Sequence, residues 1–253
     1  MFMIIRRKRM FSVGAAVAAA VVLCCGCSDY GVGEAFVVAR NGGNNECGKD
    51  GTAGSCKKVT IGGQTWMAEN LNYKPSSGNS WCPDNKESYC NIYGRLYDWA
   101  TAMNIDTKYN SNKWDGSDVK HRGVCPKGWY LPSRAEWDTL VAYAGGDSNA
   151  GKKLKSTYGW YKGAGLYGTD DFGFSALPGG GRYSINHSDD VYGAGYDGHW
   201  WTATEYDGSR AYYQNMDYSS DGVDESYYDW GRADESYYGT GKSYGYSVRC
   251  VKD

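Results

Sequence analysis

Phenylalanine is scarce in this chain, with 5 Phe against 24 Tyr and 10 Trp. A core built mainly from Phe is thereby excluded, and the aromatic rings that remain carry a polar end that can sit half buried or face water. Proline is also rare, at 5, and beside so many rings the 36 glycines do not describe a disordered low-complexity chain. Histidine occurs three times, as His121, His187 and His199, and no pair has the H-x-x-x-H spacing of a metal site. No G-x-S-x-G nucleophile elbow is present. No apolar run reaches the roughly 20 residues that span a bilayer.

The start of the chain is the basic, apolar exception. Arg6, Arg7, Lys8 and Arg9 precede a run of small apolar residues from Phe11 to Cys25, the pattern of a signal peptide. Cleavage before Cys24, Cys25 or Cys27 is conceivable, and Gly26-Cys27-Ser28 best fits lipoprotein processing. Cys27 is therefore the expected lipidated N-terminus, with residues 1–26 removed. That removal takes four basic residues and no acid, leaving 23 Lys and Arg against 29 Asp and Glu. A net charge of −6 argues against nucleic acid, which needs a cationic face. Six cysteines follow Cys27: Cys47, Cys56, Cys82, Cys90, Cys125 and Cys250. An even count in an exported chain reads as disulfides with fifteen possible pairings, not as a zinc site.

Residues 27–56 are polar and glycine-rich apart from Ala35 to Ala39, and read as a flexible tether in which Cys47 and Cys56 could close a small loop. The folded region is expected over 57–253. There KKVTIGGQTWMAENL alternates around Gly62-Gly63, the pattern of a hairpin with a left-handed turn. Leu96, Trp99, Ala100 and Met103 fall at helical spacing and predict a helix from Arg95 to Met103. Ser133 and Glu136 form an S-x-x-E capping box ahead of Trp137, Leu140, Val141 and Ala144, and Gly145-Gly146 stops that second helix. From Phe172 onward the pattern is short aromatic strands and long loops. Helices in the first half and sheet in the second make the fold class α+β. Within GHWWTATEY, Trp200 and Trp201 face opposite sides, so one is expected in the core and the other at the surface or in a second layer, with core the better assignment for both. A decapeptide repeats once, Asp224-Glu225-Ser226-Tyr227-Tyr228 returning as Asp234-Glu235-Ser236-Tyr237-Tyr238.

Motifs that promise chemistry mostly fail on context. Gly163, Gly165, Gly168 and Gly193, Gly195, Gly198 match G-x-G-x-x-G, but neither set follows a buried strand and opens a helix that could hold a pyrophosphate. GTGKS at 239–243 lacks the first P-loop glycine, because Ser236 stands there. Asp170, Asp171, Glu205 and Asp207 could make an acid/base pair, yet the simpler assignment is loop and turn residues. No catalytic residue, cofactor or metal is assigned. Tyr227, Tyr228, Trp230, Tyr237 and Tyr238 lie in a segment too acidic to be core, and rings beside carboxylates suit a carbohydrate ligand.

QTWMAENLNY, YGRLYDWATAMN, CPKGWYLPSRAEWDTLV, GKKLKSTYGW, DFGFSALPGGGRY, WWTATEYDGSRAYY and YGYSVRCVKD, in that order, resemble the blocks of the Fibrobacter succinogenes major paralogous domain. The resemblance covers nearly all of 57–253 and implies an exported or surface lipoprotein without a defined activity. LPSRAEWD followed by VRCV also resembles, more distantly, the formylglycine-generating sulfatase-modifying proteins, which implies a C-type-lectin-like fold with an antiparallel sheet. On that likeness Cys125 pairs with Cys250 and Cys82 with Cys90. The redox cysteine pair of those enzymes has no counterpart beside Cys250, and the E-P-N, Q-P-D and W-N-D calcium motifs of animal lectins are missing. The expected function is a surface-anchored, non-catalytic binding or adhesion lipoprotein, with polysaccharide as its ligand and the outer membrane or cell surface as its location. The alternatives are an enzyme related to the formylglycine-generating proteins, a glycan-modifying enzyme using Glu205 or Asp171, or a structural envelope protein.

Overall fold

Two glycines turn the first hairpin. The computed structural model describes residues 45–163, 165, 168–183, 190–223 and 240–253, and in it β1 (Lys58–Ile61) pairs antiparallel with β2 (Gln64–Met67). Gly62 and Gly63 have φ of 57° and 86°, the left-handed values that a two-residue hairpin turn requires.

The free edge of β2 receives β12 (Val251–Lys252), and β12 in turn pairs with β5 (Trp129–Tyr130). This small sheet therefore locks the last strand between segments from the start and the middle of the folded region. A larger sheet runs β10 (Thr240–Gly241), β9 (Arg210–Asp217), β8 (Asp197–Glu205), β11 (Tyr246–Ser247), β4 (Leu96–Tyr97) and β3 (Ser80–Trp81). Beside it β6 (Gly179–Arg182) pairs with β8 and with β7 (Val191–Ala194). Most pairs are antiparallel, as expected, but β8 runs parallel to β6 and to β11.

Helices α1 (Glu87–Tyr93), α2 (Trp99–Ala102), α3 (Arg134–Ala144) and α4 (Asp147–Leu154) complete an α+β architecture with more helices than the two expected. The helix predicted over 95–103 is corrected: Leu96 and Tyr97 are fully buried and pair with β3 and β11, so only Trp99–Ala102 coils. A sheet edge in need of a partner overrode local periodicity. Asp98 caps the short helix, its Oδ1 accepting from Thr101 N–H at 2.8 Å. At α3 the Glu136 carboxylate accepts from Ser133 N–H at 2.7 Å, and Gly145 at φ 116° ends the helix.

Trp200 and Trp201 are both fully buried, on opposite faces of β8. Trp200 meets Trp137 (centroids 6.1 Å apart), which packs on Trp66 at 4.9 Å and on Phe174 at 5.8 Å. Trp201 packs on Tyr246 at 4.7 Å. Three of the buried indoles donate inward: Trp99 to Thr202 O, Trp200 to Asn70 Oδ1, Trp201 to Tyr97 O. Asn70 Oδ1 also accepts from the buried Arg249 at 2.7 Å, and that guanidinium lies over Phe174 at 4.4 Å. Burial pulls Arg249 down to about 9, which leaves it charged at neutral pH.

Three disulfides join Cys47 to Cys56, Cys82 to Cys90 and Cys125 to Cys250. The segment 45–56, assigned by composition to the tether, packs on the body: Cys47 is fully buried and its carbonyl accepts from Asn72 N–H at 2.8 Å. Among the described residues no helix is long and apolar enough to cross a membrane.

Candidate functional site

The register of β8 against β9 places Asp197 opposite Asp217, His199 opposite Asn215 and Trp201 opposite Tyr213. Alternation puts all six on one face, which grades from acidic at the strand tip to aromatic in the core. Over this face lies Tyr192 of β7, 5.9 Å from His199 between ring centroids. The approach depends on glycine: a Cβ on Gly180, whose φ is 66°, would sit 2.0 Å from the Tyr192 carbonyl oxygen. Tyr183, 41% exposed, lies 4.4 Å from Tyr192 and 6.2 Å from Tyr244 between centroids. The result is an exposed tyrosine platform continuous with a half-buried polar strip.

Asp197 and Asp217 face each other across the β8–β9 ladder. Burial first, then Asp217, pushes Asp197 up to about 7. Asp217 Oδ1 accepts from Ser219 N–H at 2.6 Å. Its main-chain oxygen accepts from the Lys155 ammonium at 2.9 Å, and burial pulls that lysine down. His199 is only 8% exposed and stacks on Tyr246 at 4.8 Å. Burial lowers it to about 4, so it is neutral at physiological pH. Neither of its ring nitrogens, nor Asn215 Oδ1, has a hydrogen-bond partner among the described residues.

A second platform occupies the other face at the same strand tip. Tyr161, also 41% exposed, stacks on Tyr196 at 4.9 Å, and Tyr218 closes the group at 5.3 Å from Tyr196. These rings touch one another, so they offer flat faces and no cage for a cation. Elsewhere a cavity of about 140 Å³ opens among Tyr73, Ser76, Ser77, Asn104, Arg122 and Val124.

The four carboxylates weighed for catalysis are not brought together as a pair. Glu205 is clamped by the buried ammonium of Lys242 and accepts from Trp114 N–H at 2.8 Å. Asp207 binds Arg210 at 2.7 Å and is held down to about 2, the net of opposing burial and its hydrogen bonds to Arg210 and Ser209. Asp170 accepts from Ser175 N–H at 2.7 Å, and Asp171 is exposed. Asp170, Asp171 and Asp207 are turn and loop residues, whereas Glu205 ends β8. Gly193 and Gly195 belong to the β7 end and the turn into β8, and no helix follows either G-x-G-x-x-G set. Cys82, Glu87 and Cys90 lie within 4.8 Å of one another, but the two sulfurs are bonded to each other and are not free to hold a metal ion.

Cys27 and the ring set Tyr227, Tyr228, Trp230, Tyr237 and Tyr238 lie outside the described residues. What sequence reasoning missed is the Asp197–Asp217 pair with Tyr183 and Tyr192. The signal was available in D-x-H-x-W followed by Y-x-N-x-D, two alternating triplets that a hairpin aligns head to tail. Among known families, the Fibrobacter succinogenes major domain matches residues 59–252. No curated protein and no solved structure matches the chain.

Proposed function

The chain belongs to the Fibrobacter succinogenes major domain family, and we propose that it is a surface-anchored, non-catalytic glycan-binding lipoprotein whose working face is the β8–β9 tip. The carrying observation is the exposed Tyr183 ring, backed by Tyr192, which in turn packs on His199 of the face that carries the Asp197–Asp217 pair. A flat ring face shelters the C–H side of a sugar while carboxyl groups engage its hydroxyls, and a few polar groups on an aromatic floor are the usual make-up of a ligand site. The engagement of Glu205 by Lys242 favours binding over turnover at that residue. Lipid attachment at Cys27 supplies the anchor, and residues 28–44 the reach from the membrane. The interlock of β2, β12 and β5, clasped by Cys125–Cys250, is in keeping with a C-type-lectin-like arrangement.

Retention of the full chain, detergent-solubilised, on insoluble polysaccharides tests the binding. Tyr183→Ala should weaken retention roughly tenfold, the scale of losing one well-placed anchor ring. Tyr143→Ala, at a 58% exposed ring on α3, should not. Equal retention of both variants, or none by the parent on any glycan, refutes the proposal. The anchor is tested by the mass of the mature N-terminus, which must carry a diacylglyceryl group on Cys27.

A further inference from the structure

The three disulfides differ in what surrounds their sulfurs. Cys47 Sγ touches the Met67 thioether at 3.7 Å, and among the described residues no charged side chain contacts the sulfurs of Cys47–Cys56 or Cys125–Cys250. Cys82–Cys90 is flanked by charge. Arg95, which leads into β4 and is only 7% exposed, points Nη1 at both sulfurs, 3.4 Å from Cys90 and 3.6 Å from Cys82. Its remaining contacts are Ser80 Oγ at 3.2 Å and Ser80 O at 3.4 Å, with no carboxylate among them. Glu87, the first residue of α1, places Oε2 3.2 Å from Cys82 Sγ. A disulfide sulfur has no hydrogen to give this oxygen and no charge to offer the guanidinium.

Reduction would supply both. A Cys90 thiolate is the anion that the buried Arg95 lacks, and a Cys82 thiol has the S–H that Glu87 can accept. Both neighbours therefore favour the dithiol over the disulfide, which makes this bond the easier one to reduce. The bridge also joins residues only 8 apart in sequence, against 125 for Cys125–Cys250, so it restrains the unfolded chain far less. Cys82 is 8% exposed and Cys90 fully buried. An incoming thiolate thus meets Cys82 first, and Cys90 leaves beside Arg95.

We propose that Cys82–Cys90 is a thiol–disulfide exchange site that takes two electrons from a dithiol while the other two bridges hold the fold. One partner thiolate attacks Cys82 Sγ, the Cys82–Cys90 bond breaks and its electron pair goes to Cys90 Sγ. The second partner sulfur then attacks the first, which closes the partner's disulfide and releases Cys82. The partner loses two electrons and two protons; one proton goes to Cys82 and the other to solvent, with Cys90 left as the thiolate paired to Arg95. The site is independent of the glycan-binding reading above.

The test equilibrates the full chain in mixtures of reduced and oxidised dithiothreitol, traps free thiols with iodoacetamide and reads the reduced fraction of each bridge from peptide maps. Cys82–Cys90 should be half reduced at a ratio of reduced to oxidised reagent roughly tenfold lower than either other bridge, the scale of one hydrogen bond to a charged group. Circular dichroism should be unchanged at that point. Arg95→Met should raise the ratio by a similar factor, Arg95→Lys should lie closer to the parent, and Glu87→Gln should raise it several-fold, since an amide can donate to a disulfide sulfur. Glu87 is exposed, so its variant decides the matter if Arg95→Met does not fold. A reduced protein dithiol in place of dithiothreitol tells a protein partner from a small one. Reduction of all three bridges in one step, loss of the fold when Cys82–Cys90 opens, or an unchanged ratio in the folded variants overturns the proposal.

Discussion

Glu205 distinguishes a structural carboxylate from a catalytic one, and its replacement gives a sharp test. The Lys242 side chain is fully buried and Glu205 is 12% exposed. Besides Glu205, the ammonium has only the Asn112 and Gly208 carbonyl oxygens, each at 3.2 Å, and the Trp99 ring at 4.7 Å among the described residues. Removing one partner of a buried pair leaves an uncompensated charge, and such losses run to about 3–5 kcal/mol. Glu205→Ala also strands the Trp114 N–H, so the upper part of that range applies. Glu205→Gln keeps an acceptor for both donors and should cost about half as much. Urea unfolding followed by tryptophan fluorescence should show the midpoint falling in the order parent, Gln, Ala with an unchanged slope. For about 200 folded residues the Ala variant should melt lower by about 10 °C. Lys242→Met combined with Glu205→Ala should recover part of the loss, because no unpaired ion remains. Parent-like stability of Glu205→Ala would refute the clamp and return Glu205 to the list of groups held for chemistry.

Three further outcomes follow from the packing. Opening the 125-residue loop with Cys125→Ala and Cys250→Ala should cost about 4 kcal/mol in the loop-entropy picture, read as a lower urea midpoint, and non-reduced peptide maps of the parent should show that bond intact. Gly151→Ala should destabilise by about 1–3 kcal/mol despite alanine's better helix propensity, because the added Cβ would lie 1.8 Å from Gly222 O; a gain in midpoint would show that the α4 contact yields freely. Asp197 has its folded pKa raised from 3.8 to about 7, so the folded state holds the extra proton across that window and stability falls as pH rises through it. By linkage the loss amounts to about 2–4 kcal/mol. Asp197→Asn should therefore outperform the parent more at pH 8 than at pH 4, and an equal difference at both values would refute the raised Asp197 pKa.

Local signals in the sequence located the elements whose cause is local. Ser133, Glu136 and Gly145 bracket α3 because caps act on neighbouring backbone groups, and Gly62-Gly63 marks a turn only glycines enter easily. Leu96 and Tyr97 misled because their apolar spacing fits a helix as well as a strand, and the deciding partners, Tyr246 and Ser247, lie some 150 residues on. Helix α4 escaped notice because DSNAGKKL buries only Ala150, Gly151 and Leu154 and shows no apolar stripe. Glu205 and Lys242 are 37 residues apart, and nothing local announces their contact. The Asp197–Asp217 pair needed the hairpin register, which a bulge between Trp201 and Glu205 shifts at the other end.

The most direct test of the binding face uses its own histidine. With only three histidines in the chain, the His199 ring signals can be assigned by NMR from a His199→Gln variant. Titration of the full chain with a soluble neutral oligosaccharide should shift His199 together with Tyr183 and Tyr192, and leave His121 in place. Shifts confined to residues around Arg122 or Tyr161, with His199 and Tyr183 unmoved at saturation, would contradict the account.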